Sequence, residues 1–485
     1  MKHMSLQEIA AACSGIYHGD ASAASREVSG VVIDSRKVEK DNLFVAIKGA
    51  RVDGHTFIPQ VMEQGALCAL SEQDLGDVPY PYIRVQSCEQ ALKDLAEHYR
   101  RSLDIKVVGI SGSVGKTSTK EMIASVLSQK YSVLKTEGNF NNEIGLPLTV
   151  FRIREEHEVA VLEMGISNFG EMSRLARIAR PDICVITNIG VAHIENLGSR
   201  DGILKAKTEM FDYIASDGAV ILNGDDDKLR GCAPKNSGDN KPCSCAPNNS
   251  GDGKPCGCAP KNSIAPTFFG LDASCPFHAE DIQSRGLKGT DARFVTPDSS
   301  FCAHISIPGA HMVYNALAAT AVGYALGMDD RQIAAGIEAN VPIAGRNNLI
   351  EGARYTVIDD CYNANPASMN SSLDVLACAD TRTVAILGDM FELGRAEKQM
   401  HYDVGAHAAA SGIDVVVCIG GLSKETARGA EETAAGNKTE TAVFHYDTKA
   451  DFFADAEHIL REKDTILVKA SHGMEFPEIV EYLTR

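Results

Sequence analysis

A ten-residue segment at 109–118, GISGSVGKTS, has the residue types that bind nucleotide phosphates. It lies between a short apolar run at 106–110 and a helical pattern at 118–130, and such a glycine-rich turn lets backbone N–H groups approach phosphate oxygens. Lys116 would reach the β- and γ-phosphates of ATP, and the Thr117 hydroxyl would help to bind Mg²⁺. The residues that we expect to contact ATP here are Gly112, Ser113, Gly115, Lys116, Thr117 and Ser118.

The match to a strict phosphate loop is incomplete. That pattern needs a glycine at position 110, where this chain has Ile110. An ordinary glycine-rich turn between a strand and a helix is therefore the alternative, although the Gly-Lys-Thr-Ser ending favours nucleotide binding.

Glu163 is a candidate metal ligand, because Mg²⁺ prefers oxygen atoms. It ends an apolar run at 159–163, and open α/β sheets bind ligands at the carboxyl ends of their strands. A buried carboxylate there would be costly without a partner. The alternative is a partly exposed glutamate at a strand end.

Alternating apolar runs and helical patterns must position these groups. The 485 residues correspond to roughly two to four domains, and strands that alternate with helices predict an α/β fold with parallel sheets. We place the domains at 1–102, 103–343 and 344–485. The predicted strands are 28–32, 43–47, 106–110, 159–163, 183–188, 219–223, 356–360, 383–387, 415–419 and 466–469.

Composition limits the class of function. The chain has 47 basic and 65 acidic residues, a net charge of -18, and this acidic surplus disfavours a nucleic-acid or membrane-surface partner. No apolar run approaches the roughly 18 residues of a membrane helix. The N-terminus has the pattern of an amphipathic helix rather than of a signal peptide, so we expect a cytoplasmic enzyme.

The 14 cysteines fall into two groups. Nine occur singly in hydrophobic segments, where we expect reduced, buried thiols. A 13-residue repeat at 231–263, rich in Gly, Pro, Asn and Ser, predicts a disordered surface loop within the central domain. The alternative is a metal or redox tag, although its spacing is Cys-x-Cys and no histidine is near. Its cysteines are Cys232, Cys243, Cys245, Cys256 and Cys258.

The phosphate loop resembles that of Mur ligases and folylpolyglutamate synthetases, and further segments follow in the Mur ligase order. These are TEGNFNNEIGLP at 136–147, EMG at 163–165, NIGVAH at 188–193, AKTE at 206–209, NGDD at 223–226, PGAH at 308–311, NALAA at 315–319, GR at 345–346 and DDCYNANP at 359–366. The resemblance covers nearly the whole chain outside the repeat. Departures from the usual residues are Val114, Met312, Ala470 and His472.

Two regions distinguish activities within this family. The segments DSR at 34–36 and KGARVDGH at 48–55 resemble the UDP-muramoyl-binding domain of the two later ligases. YNANPASM at 362–369 and LGDMFELG at 387–394 look most like the member that adds D-alanyl-D-alanine. The Asp-Asn-Pro-Arg type of motif, usual in the tripeptide-forming member, is not found.

The resemblance implies an N-terminal UDP-binding α/β domain, a central parallel-sheet ATPase domain and a C-terminal Rossmann-like ligase domain. It also implies the reaction. A carboxylate of UDP-N-acetylmuramoyl-tripeptide would attack the γ-phosphate of ATP to give an acyl phosphate and ADP, and the amine of D-alanyl-D-alanine would then displace phosphate. Mg²⁺ would assist. We expect a monomer without nucleic-acid or membrane partners.

The resemblance further assigns roles to single residues. The catalytic residues would be Lys116, Glu163, His193 and Lys207, and the metal would be served by Thr117, Glu163, His193 and a carbamylated Lys207. Asn315 would contact adenine, Asp360 the ribose and Arg346 the ribose–phosphate region. Asn142 and Ser111 would contact phosphate or the acyl-phosphate substrate, and the uridine nucleotide would be bound by Ser35, Arg36 and His55.

Alternatives remain open. His193 is otherwise a structural histidine, Arg346 a hinge arginine and the Asp34–Arg36 triplet a surface turn, while Lys207 by chemistry alone is a solvated lysine on a polar helix. For the whole chain, the alternatives are the ligase that adds an amino acid to UDP-muramoyl dipeptide, a folylpolyglutamate synthetase, which lacks the N-terminal block, and a non-catalytic nucleotide-binding scaffold.

Overall fold

The computed structural model describes residues 4–232, 264–438 and 440–485. Within these residues the chain forms three sheets, of five, nine and six strands. The predicted α/β class is thus confirmed. We propose the domain boundaries after residues 102 and 343, because each falls between the last strand of one sheet and the first strand of the next.

The N-terminal sheet has four parallel strands and one antiparallel edge. Its elements are α1 (Leu6–Ala12), β1 (Ile16–His18), β2 (Gly30–Val32), β3 (Asn42–Val45), α2 (Ile58–Glu63), β4 (Cys68–Ser71), β5 (Tyr82–Arg84) and α3 (Cys88–Arg101), with short 3₁₀ helices at Ala21–Ala23, Ser35–Lys37 and Gly54–Phe57. The strand order is β1-β5-β4-β3-β2, with β1 antiparallel to β5. A capping box between Ser5 and Glu8 begins α1, and Ser87 caps α3.

The central sheet carries the phosphate loop between its first strand and helix. Its strands are β6 (Lys106–Ser111), β7 (Val133–Lys135), β8 (Val159–Glu163), β9 (Ile183–Ile186), β10 (Ala219–Asn223), β11 (Thr267–Gly270), β12 (Phe277–Ser284), β13 (Thr290–Val295) and β14 (Ser300–Ile305). Its helices are α4 (Lys116–Leu127), α5 (Gly145–Val150), α6 (Glu171–Ala179), α7 (Ile194–Leu197), α8 (Arg200–Thr208), α9 (Asp227–Arg230), α10 (His311–Ala325) and α11 (Asp330–Glu338), with 3₁₀ helices at Glu209–Tyr213 and Gly286–Lys288.

The central sheet is mainly parallel, as expected, but it has an antiparallel edge that the sequence did not predict. In the order β14-β13-β12-β11-β10-β9-β6-β8-β7, the strands from β7 to β12 pair in parallel, but β13 is antiparallel to both β12 and β14. Alternate residues of β13 are buried, so one face of this edge packs on the core and the other is more open. Antiparallel strands tolerate that arrangement, whereas parallel strands are usually covered on both faces.

The C-terminal sheet is again mostly parallel. Its elements are β15 (Asn348–Glu351), β16 (Thr356–Asp359), α12 (Pro366–Leu376), β17 (Thr383–Gly388), α13 (Glu397–Ala410), β18 (Val415–Ile419), α14 (Ser423–Asn437), β19 (Ala442–Tyr446), α15 (Lys449–Ile459), β20 (Thr465–Lys469) and α16 (Pro477–Thr484), with 3₁₀ helices at Gly394–Ala396 and His472–Met474. The order is β15-β16-β20-β17-β18-β19, and only β15 is antiparallel to its neighbour. Helices cover both faces, as in Rossmann-like domains.

One apolar core joins the N-terminal and central domains. Leu95 and Tyr99 of α3 belong to the same buried cluster as Val107 of β6 and Ile153. The Tyr99 hydroxyl donates to the carbonyl of Ile153 at 2.7 Å. The C-terminal sheet instead has separate clusters on its two faces.

Arg100 reinforces the same junction. Its guanidinium is almost fully buried and donates to the backbone carbonyls of Ala179 at 3.0 Å, and of Leu103 and Ile105 at 3.2 Å. The last turn of α3 is therefore fixed to the strand β6 and helix α6 region by both apolar and polar contacts.

The cysteines depart in part from expectation. Ten lie in the described residues and are free thiols, and burial is confirmed for most of those that occur singly. Cys302 and Cys378 are exposed, so the prediction of burial is wrong for them. Cys302 lies on the edge strand β14, and Cys378 lies just beyond the end of α12, where neither side chain is covered.

The cysteine repeat lies outside the described residues, apart from its first two positions. Cys232 is buried in the core shared by the first two domains, and Ile264 packs against the same core. The interpretations of segment 233–263 as a disordered loop or as a metal tag stay predictions.

Within the described ranges, no helix has the length and apolar character needed to span a membrane.

Candidate active site

A cleft of about 940 Å³ is lined mainly by the central and C-terminal domains, and Glu89 of α3 adds a contribution from the N-terminal domain. The central wall includes Ser113, Gly115, Lys116, Thr117, Ser118, Asn141, Asn142, Glu163, His193 and Asn315, and the C-terminal wall includes Arg346, Asp360, Tyr362 and Lys469. The structure thus brings together most of the residues predicted from the sequence to handle ATP and metal. A concave site between domains is a common place for catalysis.

The phosphate loop is pinned to the end of strand β9. Gly112 has φ 154°, and a Cβ atom there would lie 1.9 Å from the Thr187 hydroxyl oxygen, so no larger residue fits. That hydroxyl donates to the Val114 carbonyl at 2.6 Å, and the Val114 N–H donates to Asn188 at 2.9 Å. Gly115, with φ 80°, is the N-cap residue that precedes α4. The loop therefore presents its backbone in a fixed shape.

Lys116 lies folded over this loop. Its ammonium group donates to the carbonyl of Gly112 at 2.9 Å and to that of Ser113 at 3.5 Å. Burial lowers the pKa of Lys116, the charge of Glu163 opposes that shift, and Arg346 adds to it. An anion in the cleft would therefore favour the charged form of this lysine.

Glu163 has one carboxylate oxygen that accepts no hydrogen bond from the described residues. The side chain is 2% exposed, and Asn141 Nδ2 donates to Oε1 at 2.8 Å. Oε2 is buried and accepts no hydrogen bond from the described residues. An unsatisfied buried carboxylate oxygen is costly, and a cation would satisfy it.

The donor set near Glu163 fits Mg²⁺ that arrives with a nucleotide. Thr117 is buried and lines the same cleft, so a hydroxyl and a carboxylate oxygen are available. The described residues contain no group of three or more His, Cys, Asp or Glu side chains placed to hold a metal ion. Because Mg²⁺ takes six oxygen ligands, phosphate oxygens and water would have to complete its coordination.

Asn141 is a site residue that the sequence analysis missed. We selected Asn142 from the Asn-rich segment, but Asn142 Oδ1 accepts the N–H groups of Ile144 and Gly145 at the start of α5. Asn142 still lines the cleft, while Ser111 is fully buried and does not. The sequence offers no signal that separates these two adjacent asparagines; in the structure, a Cβ at Gly165 would lie 3.1 Å from the Asn141 amide, so the glycine leaves room for it.

His193 contacts the C-terminal domain. It adopts the left-handed conformation (φ 59°) at the start of α7, and its Nδ1 lies 3.0 Å from Glu392 Oε2. Burial lowers the pKa of His193, and the charge of Glu392 opposes that shift.

Lys207 is buried in α8, with 2% exposure, so its interpretation as a solvated surface lysine is wrong. Burial holds the pKa of Lys207 well below its ordinary value, and the charge of Lys116 acts in the same direction. The hydrophobic periodicity of α8 is weakened by its many polar residues, which is why the sequence concealed this burial. Lys207 is not among the residues that line the cleft itself.

Asp360 is the centre of the C-terminal wall. Its Oδ2 accepts Lys469 Nζ and the Ser372 hydroxyl, both at 2.5 Å, and its Oδ1 accepts the Asn347 N–H at 3.0 Å. Lys469, 2% exposed at the end of β20, was missed by the sequence analysis. It was the last residue of a predicted strand, a position that open α/β sheets use for ligands.

Two further predicted nucleotide contacts have protein partners. The Arg346 guanidinium lies 4.0 Å from the centre of the Tyr362 ring, an arrangement that stabilises cations. Asn315 accepts the Thr119 hydroxyl at 2.9 Å and is 6% exposed. Both line the cleft.

The predicted uridine-binding residues lie elsewhere and are not brought into this cleft. Arg36 is exposed and forms two hydrogen bonds with Asp34, of 2.9 and 2.8 Å. His55 is buried; its Nδ1 lies 2.7 Å from Asp53 and its Nε2 accepts the Glu72 N–H at 3.0 Å. His55 therefore uses both ring nitrogens within its own domain, whereas Ser35 remains partly exposed beside Arg36.

Comparison with known proteins gives consistent matches along the chain. Three family models match: Mur ligase family, catalytic domain at 27–100; Mur ligase middle domain at 110–245; and Mur ligase, glutamate ligase domain at 345–472. The UDP-N-acetylmuramoyl-tripeptide–D-alanyl-D-alanine ligase of Bacillus subtilis is 36% identical over 461 residues, covering 94% of this chain and 93% of the relative.

Solved structures agree with these matches. The crystal structure of MurF from Acinetobacter baumannii has a TM-score of 0.84 and 30% identity, covering 99% of this chain and 98% of that one. The MurF ligase from Thermotoga maritima, solved in complex with ADP, has a TM-score of 0.76 and 27% identity, covering 93% and 96%.

Proposed function

The chain belongs to the Mur ligase family, and we propose that it joins D-alanyl-D-alanine to UDP-N-acetylmuramoyl-tripeptide while converting ATP to ADP and phosphate. The activity is that of the Bacillus subtilis relative. The observation that supports it best is the cleft in which a phosphate loop, a buried carboxylate with a free oxygen and the C-terminal wall meet.

The reaction proceeds in two steps. The tripeptide carboxylate attacks the γ-phosphate, and ADP leaves; the amine of the dipeptide then attacks the acyl carbon, and phosphate leaves. The first step is phosphoryl transfer, in which a protein mainly positions reactants and neutralises charge. Lys116, the loop N–H groups and Arg346 supply positive charge around the phosphates.

Mg²⁺ is a proposed cofactor of this site. Thr117 and Glu163 would hold it, with His193 and Lys207 serving a second position. When bound, Mg²⁺ would neutralise part of the phosphate charge and polarise the phosphoryl oxygen that it contacts. Lys207 has a physical reason for carbamylation, because its lowered pKa favours the neutral amine. That nitrogen can attack CO₂ and lose a proton, which leaves a carbamate anion with two oxygens.

The remaining assignments are also proposals. Asn315 would contact adenine, Asp360 the ribose, and Ser35 and Arg36 the uridine nucleotide. His55 would support the uridine site indirectly, since both its ring nitrogens already have partners. A monomeric state and a cytoplasmic location are kept as predictions.

ADP release by the purified protein tests the function directly. With Mg-ATP and UDP-N-acetylmuramoyl-tripeptide, we expect turnover that depends on D-alanyl-D-alanine and yields a UDP-linked pentapeptide. The Lys116→Ala variant should lose roughly 10²- to 10³-fold in kcat, as enzymes do without a key charge-stabilising donor. Turnover with UDP-muramoyl dipeptide and a single amino acid would instead identify the tripeptide-forming activity, and no turnover with either would favour the scaffold alternative.

A further inference from the structure

One buried cation beside the cleft has no part in the reaction described so far. Lys120 follows Lys116 by one helical turn on α4, and its side chain is 1% exposed. Its Nζ donates to the Thr136 carbonyl at 2.6 Å and lies 3.0 Å from Glu121 Oε1. It also lies 4.0 Å from Glu163 Oε2, the carboxylate oxygen that lacks a hydrogen bond.

Two carboxylates lie near Lys120, those of Glu121 and Glu163, and they differ in their other partners. Glu121 also pairs with Lys135, so a second cation already balances Glu121. Glu163, by contrast, has only the neutral Asn141 amide on Oε1. The charge of Glu163 also acts on Lys116, but Lys116 Nζ donates to the phosphate-loop carbonyls. Among the described residues, Lys120 is the cation that forms an ion pair with Glu163, and it is placed to balance this buried charge.

The geometry keeps Oε2 open while its charge is balanced. A separation of 4.0 Å gives electrostatic attraction without a hydrogen bond. Thr136 fixes both partners, because its hydroxyl accepts the Glu163 N–H at 3.0 Å and its carbonyl accepts Lys120. Lys120 is thus held close to Glu163 Oε2, while its hydrogen bond goes to the Thr136 carbonyl.

We propose that Lys120 is a positioning residue that serves as the built-in counter-cation of Glu163. It balances the carboxylate while no metal is bound and leaves Oε2 free to bind one. Since its charge repels a second cation, Glu163 binds a divalent metal weakly until nucleotide phosphates add negative charge. This inference rests on the proposed function in one respect, the use of Glu163 as the metal carboxylate.

Binding of Mn²⁺ without nucleotide, measured by the loss of the free-ion electron paramagnetic resonance signal, tests the proposal. The full-length Lys120→Met variant should bind Mn²⁺ about tenfold or more tightly than the wild type, because a nearby repelling charge is gone. The Lys120→Met/Glu163→Gln variant should lose this gain. Lys135→Met is the matched control: it removes a lysine from the same network, but one that is 43% exposed and pairs with Glu121, so its Mn²⁺ affinity should match the wild type.

Equal or weaker Mn²⁺ binding by folded Lys120→Met would overturn the proposal, as would an equal gain in Lys135→Met. If Lys120→Met fails to fold, circular dichroism of the double variant decides. Recovery of folding there supports mutual charge balance, and a double variant as unstable as the single one contradicts it. No muramoyl peptide is present in these experiments, so their failure is separate from failure of the ligation assay.

Discussion

The central domain meets its two neighbours through junctions of different kinds. Toward the N-terminal domain, α3 is part of a continuous apolar core, and Tyr99 and Arg100 add hydrogen bonds to backbone carbonyls. Toward the C-terminal domain, much of the boundary is the cleft, and the contacts across it are largely polar. Leu287 is an exception, since it packs against the core of the C-terminal sheet.

Single polar contacts mark the second junction. Asn347 donates to the Pro308 carbonyl at 2.5 Å, and His193 meets Glu392 at 3.0 Å. Domains joined mainly by polar contacts are expected to move relative to one another, whereas a shared apolar core prevents this. The comparison therefore indicates that the N-terminal domain stays fixed to the phosphate loop, while the C-terminal wall is the side that adjusts when ligands enter.

The largest expected effect follows from removing the Tyr99 side chain. Tyr99→Ala should lower the free energy of unfolding by about 3–5 kcal/mol, the usual cost of deleting a buried aromatic ring. Hydrogen exchange should increase together in the N-terminal and central domains. Tyr99→Phe, which loses only the bond to Ile153, should cost about 1 kcal/mol. Hydrogen exchange that increases in the N-terminal domain alone would contradict the conclusion that the first two domains share one core.

Arg100→Met should have the next largest effect. The substitution leaves the carbonyls of Ala179, Leu103 and Ile105 without their donor, and we expect a loss of about 2–4 kcal/mol, measured by urea unfolding. Arg101→Met is the control, because Arg101 pairs with Glu97 at the surface and should change stability by less than about 1 kcal/mol. Similar losses in both variants would show that the carbonyl contacts do not matter.

Glu392→Gln should have a small effect on stability. It removes the ion pair with His193 across the second junction, but Glu392 is 67% exposed. We expect a decrease below about 1 kcal/mol in the free energy of unfolding, as for other solvated pairs. A loss as large as that of Arg100→Met would mean that the two junctions are equally firm.

The smallest expected effect concerns pH and His311, which begins α10 at the second junction. Burial lowers the pKa of His311, the Asp360 charge opposes this shift, the Lys469 charge adds to it, and Asp374 opposes it. As pH falls through the ordinary histidine value, the unfolded chain takes up a proton first, so stability decreases until the folded-state pKa is passed.

His311→Asn should therefore lose less stability than the wild type between pH 7.5 and pH 5, measured by thermal unfolding at each pH. His458→Asn is the control, since His458 is 81% exposed. If the stability of His311→Asn has the same pH dependence as that of the wild type, protonation of His311 does not affect stability at the second junction.

The positions of many strands and of the phosphate loop could be predicted from local sequence patterns. Strands β8, β10 and β18 were predicted at their observed limits, because runs of β-branched and other apolar residues bounded by polar residues specify buried strands. The phosphate loop followed from glycine and lysine spacing. The antiparallel strands β13 and β14, which precede α10, were not predicted. Their apolar residues alternate with polar ones, and this pattern predicts a strand less clearly than a continuous apolar run does.

The partners within the site were not predictable in the same way. The choice between Asn141 and Asn142, the burial of Lys207 and the presence of Lys120 beside Glu163 all depend on contacts between distant segments. A polar residue on a helix is predicted to be solvent-exposed unless the position of the neighbouring strand is known. Sequence thus locates the ligand-binding edge of the sheet more readily than it identifies the side chains that support it.

Cys232 and Ile264 give segment 233–263 a practical use. Both pack against the core shared by the first two domains, and on either side of the segment Arg230 donates to Asp272 at 3.2 Å, so described residues that flank it lie close together. Doubling the length of a flexible connection costs only about 0.6 kcal/mol in closure entropy. We therefore expect that a fluorescent protein whose own termini lie close together can replace this segment, provided that Cys232 is kept, and the ligase would then carry an internal reporter.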